Sequence, residues 1–148
     1  MRDALVVVDG LVAADHADMN LRDEKELWGY ALDQRAFGPR RLLVAFADAD
    51  GRLRAIAHTK RTDPIDLALR ACLQHLGHAA AAAVAFNDEP VIEGPPEPGL
   101  ADRFWLARTI CAASVVHLVD WICCDDDLIR STKLALEPDG EYWDVPVG

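Results

Sequence analysis

The stretch from Ala79 to Phe86 constrains this chain more than any other. It is seven small or branched apolar residues and a phenylalanine, with no polar side chain, and it starts two residues after Gly77. Alanine alone favours helix, but eight residues after a glycine stop are too few for one. A run this short and unbroken reads as a strand covered on both faces. Such a strand sits inside a sheet and needs a layer on either side.

The flanking segments supply those layers. Asp63-Pro64 reads as an N-cap with proline at the first helical position, where the missing N–H costs nothing. Asp66 then falls in the first turn. Ile65, Leu69, Cys72, Leu73 and Leu76 form an apolar stripe at helical spacing that Gly77 closes. Before it, Arg41–Ala47 and Arg52–His58 are apolar runs separated by Asp48-Ala49-Asp50-Gly51, which predicts a β-hairpin. After the buried strand, residues 87–99 hold three glutamates, four prolines and two glycines, a proline-stiffened loop. Leu100–Ala113 is then a helix, Val115–Cys123 a β-branched strand, Asp125-Asp126-Asp127 a polar turn and Leu128–Leu136 a closing strand. At the start, Leu5–Val8 predicts a short strand and Leu21–Phe37 a helix capped by Asn20. The order predicts an α/β fold, a mixed β-sheet flanked by helices.

Length permits one domain and disfavours two. At 148 residues a single core is well fed, whereas two cores would each be marginal. The expected organisation is one domain over 1–148. Residues 1–40 are an N-terminal extension or first strand and helix, and 137–148 are a tail carrying Tyr142 and Trp143. The net charge of -10, from 25 acids against 15 bases, disfavours nucleic-acid phosphates and anionic membranes as partners. The best basic clusters, Arg40-Arg41 and the group Arg52, Arg54, Lys60 and Arg61, read as solvated surface. No apolar stretch reaches the roughly 18 residues of a membrane span. Met1-Arg2-Asp3, with Asp9-Gly10 cutting the apolar run short, is a poor secretion signal. The four cysteines, Cys72, Cys111, Cys123 and Cys124, form no CxxC pair. A cytoplasmic, reducing location is expected.

Chemistry in such folds gathers where central strands give way to loops. The buried strand ends in Phe86-Asn87-Asp88-Glu89-Pro90, and the next helix brings Asp102. Asn87, Asp88, Glu89 and Asp102 offer only oxygen ligands, which suit a hard divalent cation better than zinc. A solvated acidic loop beside a helix-start carboxylate explains the same residues with no ion. Elsewhere, His58 ends a hairpin arm, His16 and Asp18 share a polar segment, His75 and His78 flank a helix terminus, and His117 lies in a strand. Cys123 and Cys124 point to opposite strand faces, so they do not form a redox pair. Ser114 and Ser131 have no activating neighbours in the sequence.

Residues Arg41 to about Leu136 resemble the JAB/MPN metalloprotease-like domain in its bacterial RadC form. The resemblance lies in motif order. It runs from the hairpin to the proline-containing helix start Asp63-Pro64-Ile65-Asp66 and the alanine-rich strand ending in Phe86-Asn87-Asp88-Glu89-Pro90. It continues through the helix opening Pro98-Gly99-Leu100-Ala101-Asp102, the strand Val119-Asp120-Trp121-Ile122 and the serine-bearing Ile129-Arg130-Ser131. It implies a three-layer, cytidine-deaminase-like arrangement. It also implies where the chemistry is missing. Phe86 and Asp88, or Asn87 and Asp88, stand where the family has its two zinc-binding histidines. Asp102 matches the third ligand. Gly99 replaces the oxyanion-stabilising serine, and Arg54-Ala55-Ile56-Ala57-His58 lacks the catalytic glutamate. One carboxylate cannot make a three-ligand zinc site.

Two functions follow. The leading expectation is a catalytically inactive RadC/JAB-like domain, with no cofactor, acting as a structural or protein-interaction module. Its contacts would be made through sheet edges or through Tyr142 and Trp143, with a protein partner or itself. The rival is a metal-dependent hydrolase, peptidase- or isopeptidase-like, whose non-standard site uses His58, Asp88, Asp102 and Asp120, with Asp88 and Asp102 holding a divalent metal. DNA binding is a third idea that the acidic charge opposes.

Overall fold

The computed structural model describes residues 6–9, 20–23, 41–60, 65–76, 80–91, 94–125 and 128–145. Its elements are β1 (Val6–Asp9), β2 (Arg41–Ala47), β3 (Leu53–Lys60), α1 (Ile65–Leu76), β4 (Ala82–Asp88), α2 (Pro98–Ala112), β5 (His117–Cys124), β6 (Ile129–Ser131) and α3 (Thr132–Leu136). The strands form one sheet in the order β1-β3-β2-β4-β5-β6. Only β4 and β5 run parallel, joined by α2 as a βαβ crossover. The other pairings are antiparallel. This is a mixed sheet flanked by helices, as the element order predicted.

Strand alternation divides the core in two. Leu42, Val44 and Phe46 of β2, Ala83 and Ala85 of β4, and Trp121 and Cys123 of β5 pack against Leu69, Cys72 and Leu73 of α1 and against Phe104, Ala107, Ile110 and Cys111 of α2. On the opposite face, Leu43, Ala45, Val84, Phe86, Val119 and Ile122 meet Leu21 and, from the tail, Tyr142, Trp143 and Val145. Every residue of β4 from Ala82 to Asn87 is buried, which is why no polar alternation appears in that stretch. Phe46, Phe104 and Trp121 are essentially inaccessible, and truncating any of them to alanine removes about 3–5 kcal/mol.

The hairpin turn is built from both ends. Asp48 Oδ1 accepts from Asp50 N and Arg52 N, and Gly51 adopts φ +92°. A Cβ on Gly51 would sit 2.5 Å from both Arg22 Cγ and Asn20 Oδ1, so the turn requires glycine on two grounds. Leu21 N donates to Gly51 O at 2.7 Å, which plants the fully buried Leu21 on the second face. The helix expected from Leu21 onward therefore does not begin there. Asn20 Oδ1 accepts from Arg22 N in a tight turn, and residues 24–37 of that expectation lie outside the described residues, as do Asp63-Pro64 and Gly77.

The closing strand predicted over 128–136 is also corrected. Pairing with β5 stops at Ser131, opposite Ile122. Ser131 then turns its Oγ to accept from Leu134 N at 3.1 Å and so caps α3. The apolar Leu134 and Leu136 had suggested a strand, but a capping serine outweighs a short ambiguous pattern. Before Ile122 the outer edge of β5 has no strand partner among the described residues. There Arg108 of α2 reaches over it, donating through Nε to Leu118 O at 2.9 Å and through Nη2 to Val119 O at 3.4 Å. Those carbonyls lie beside a bulge: Ala83 pairs with Leu118 and Val84 with Asp120, leaving Val119 as the extra residue.

At the end of α2, Val116 N bonds Cys111 O at 3.0 Å and Val115 N bonds Ala112 O at 2.9 Å. This is a Schellman ending, in which the left-handed position normally belongs to glycine. Val115 occupies it, with φ 60° and an almost fully exposed side chain.

Candidate functional site

The carboxyl ends of the parallel strands β4 and β5 open onto a cleft of about 290 Å³ lined by Glu89, Pro90, Leu100, Arg103, Cys123 and Arg130, among others. Its position follows from topology. The two strand ends point the same way, and the N-terminus of α2 returns above them, leaving a crevice where α/β sheets usually bind ligands. Two loops close its rim. Asp125 accepts from Val91 N at 2.9 Å and from Leu128 N at 2.8 Å, so one carboxylate ties the β4–α2 loop to the β5–β6 turn. Arg130 Nη2 donates to Gly94 O across the same opening.

Glu89 stands at the floor, and its carboxylate accepts from four donors. Oε1 accepts from Asn87 Nδ2 at 2.6 Å, Trp121 Nε1 at 3.2 Å and Cys123 Sγ at 3.3 Å. Oε2 accepts from Arg103 Nη2 at 2.6 Å. Arg103 also lies 5.6 Å from the centroid of the Trp121 ring. Burial pushes the Glu89 carboxyl up, but Asn87, the Arg103 charge and Trp121 together outweigh it and hold the group below its ordinary value. Cys123 responds in the opposite sense. Burial first, and then the Glu89 charge, push its thiol far up, so it stays protonated and donates. A glutamate with four donors is a poor general base, and a protonated buried thiol is a poor nucleophile. Arg103 Nε is buried without a partner among the described residues.

The residues expected to carry chemistry are placed apart. Asn87 turns toward the cleft with Glu89, whereas alternation sends Asp88 to the side of Phe86, which is buried in the second core cluster. Asp102 is exposed on α2. Asp120 is inaccessible and shares its side of β5 with Ile122, beneath the tail. Asp88 pairs with Cys124 and Asp120 with Val84, four positions along the sheet, about 13 Å at the strand rise. His58 lies opposite Leu43 and Val7 within the sheet, and its side chain is outside what is described. Asp88, Asp102 and Asp120 therefore do not converge. Among the described residues no group of three or more His, Cys, Asp and Glu side chains is placed to hold a metal ion.

Asp120 instead belongs to a sealed network. Its Oδ2 accepts from Ser131 Oγ at 2.5 Å and Tyr142 Oη at 2.8 Å, and its Oδ1 accepts from Trp121 N at 2.8 Å and Lys133 N at 3.0 Å. Burial drives this carboxyl up despite those donors. Beside it, the ammonium of Lys133, only 1% exposed, meets Asp144 Oδ2 at 2.5 Å. Asp144 also accepts from Arg108 Nη2 at 2.9 Å and pairs with His117 Nε2 at 2.7 Å. Burial raises the Asp144 carboxyl, but Lys133, His117 and Arg108 bring it below its ordinary value. Trp143 Nε1 donates to Ala49 O at 2.9 Å. Tyr142 and Trp143, expected as contact surface for a partner, are half-buried and used to fasten the tail to the chain's own sheet.

The sequence contained one overlooked signal for this site. Asn87 and Glu89 are two apart at a strand end and so share a face, which is the spacing a pair of convergent groups needs. Arg103, Trp121 and Cys123 carried no such mark, because their meeting depends on the crossover. Lys133 was hidden by the strand expected over 128–136, and Asp144 carried no mark within the tail. No family model, no curated protein and no solved structure matches this chain. The likeness to the JAB/MPN domain accordingly rests on motif order alone.

Proposed function

We propose that this chain is a catalytically inactive domain of the RadC/JAB type, serving as a structural or protein-interaction module in the cytoplasm. The observation that carries the reading is the state of Glu89. It occupies the strand-end position where such a fold would do chemistry, and both its oxygens are engaged by donors from Asn87, Arg103, Trp121 and Cys123. Zinc needs three deprotonated protein ligands around one point, with a position left open for water. The residues here do not fit that requirement: Phe86 is packed in the core, Asp102 faces solvent, and Cys123 keeps its proton. The metal-dependent hydrolase reading built on His58, Asp88, Asp102 and Asp120 lacks convergence of its three carboxylates.

Metal content and hydrolysis test this together. Protein purified without chelator and then dialysed against zinc or magnesium is expected to retain less than one equivalent of either. It is also expected to leave peptide and isopeptide substrates uncut. One tightly held zinc per chain, with peptidase activity that a chelator abolishes, overturns the proposal.

A further inference from the structure

We propose that the cleft at the carboxyl ends of β4 and β5 binds a small monocarboxylate with a short apolar body. Such a site is independent of the reading above, since holding a ligand requires neither a metal nor a reacting group.

The walls of the cleft carry more hydrogen-bond donors than acceptors to meet them. Arg103 is held from two sides, by Glu89 Oε2 at 2.6 Å and by the face of Trp121 at 5.6 Å, so its guanidinium is fixed before any ligand arrives. The bond to Glu89 uses one of five N–H donors, and Nε has no partner among the described residues. The side chain lines the cleft and keeps 28% of its surface exposed, so the fork can still be reached. The first turn of α2 adds a second donor. Its N-cap, Glu97, makes no side-chain cap bond, Pro98 has no N–H, and no acid lies in that turn. The N–H of Gly99, which a capping side chain ordinarily takes, is left for a ligand at the positive end of a 15-residue helix. Gly99 lines the cleft, and a Cβ placed on it would meet nothing within 4 Å. Arg130 adds a second guanidinium to the lining.

Unmet N–H groups on a fixed guanidinium and a helix end call for an oxygen anion, and the planar fork matches a carboxylate. The rest of the lining narrows the class. Glu89 and the exposed Glu97 balance the two arginines in formal charge. A single negative charge is then offset by the helix end, whereas a phosphate dianion faces the same two acids with more charge. Pro90, Val91, Pro95 and Leu100 form an apolar wall, which suits a hydrocarbon body and not the hydration shell of phosphate. At about 290 Å³ the cleft is at the small end of ligand sites, so that body is short.

Titration of the full chain with sodium hexanoate at neutral pH, followed by backbone amide NMR, tests the proposal. Hexanoate should shift the Gly99 amide and bind with a Kd of about 1 mM, as expected of so small a ligand. Hexanamide keeps the body without the charge and should bind about tenfold or more weakly, and inorganic phosphate should also bind less tightly than hexanoate. Arg103→Gln should weaken hexanoate by about tenfold or more. Because Arg103 also holds Glu89, Gly99→Leu is the independent variant: it fills the open space before the helix end and disturbs no packing contact. It should weaken hexanoate by a similar factor, and circular dichroism of both variants checks that they are folded. No shift at about 20 mM hexanoate overturns the proposal. So does equal binding of hexanamide, tighter binding of phosphate, or a folded Gly99→Leu that binds hexanoate as the parent chain does. None of these outcomes touches the metal and peptidase tests, so failure here leaves the inert-site reading standing.

Discussion

Glu89 and Asp120 lie on opposite sides of the same sheet and are each held by four hydrogen-bond donors, yet their acidities move in opposite directions. Glu89 sits in an open cleft and counts a guanidinium among its donors, so its charge is favoured. Asp120 is sealed, and its donors are two hydroxyls and two backbone amides. The nearby ammonium of Lys133 is directed to Asp144. The comparison teaches that donor count does not set a buried carboxylate's protonation. The presence of a cation and the access of water do. It also separates roles: the cleft holds an ion-paired, hydrogen-bonded glutamate, and the sealed network is a fastening for the C-terminal segment.

The largest expected effect breaks the sealed half. Asp120→Ala strands Ser131, Tyr142 and two backbone amides in a dry interior, at about 3–4 kcal/mol given the usual penalty for each buried unsatisfied group. Urea unfolding should show the midpoint fall, and the segment around Tyr142 should gain hydrogen exchange. A loss below about 1 kcal/mol would mean that the network is wet and easily rearranged.

Glu89→Gln is the milder counterpart. It keeps the shape and one acceptor but removes the ion pair with Arg103, which is partly exposed, so about 1 kcal/mol is expected from the same unfolding measurement. A cost equal to that of Asp120→Ala would erase the distinction between the two sites.

Acid titration sharpens the contrast through its sign. Glu89 and Asp144 have folded values below their ordinary 4.5 and 3.8, so each adds stability above those values and loses it as pH falls through the folded value. Asp120 is raised, so its contribution is present below its ordinary 3.8 and is lost as pH rises through the folded value. Melting temperature measured between pH 3 and pH 7 should fall at the acid end, about 3 to 4.5. The fall should be shallower in Glu89→Gln and steeper in Asp120→Asn. Identical slopes in all three proteins would contradict the assignment.

The smallest effect lies outside both centres and serves as their control. Val115→Gly relieves a left-handed conformation at an exposed residue and should stabilise the chain by about 1 kcal/mol, with neither the cleft nor the acid profile altered. Thermal unfolding would check it, and destabilisation would contradict the strain.

Much of the architecture was legible in the chain. The hairpin announced itself through Asp48-Ala49-Asp50-Gly51, α1 through its apolar stripe and β4 through eight unbroken apolar residues, because local patterning and turn chemistry are properties of neighbouring residues. α3 was not legible, since five residues with alternating apolar character fit a strand equally well until Ser131 commits its hydroxyl to Leu134 N. The candidate site was half legible. The strand end at Asn87 and Glu89 could be located, but three of the four donors to Glu89 come from α2 and β5, 14 to 34 residues away.

By itself, then, the sequence determined the hairpin, α1, β4, α2 and β5, their order and the absence of histidines at the strand end. Those follow from periodicity, turn residues and residue identity. Only the tertiary structure decided what each carboxylate does, because that depends on partners the crossover and the tail bring in. Asp120, proposed from sequence as a reacting group, is a buried anchor. Asp102 faces solvent. Glu89, one acid among several in the loop, is the residue around which the cleft is organised, since burial, a guanidinium and three further donors meet there.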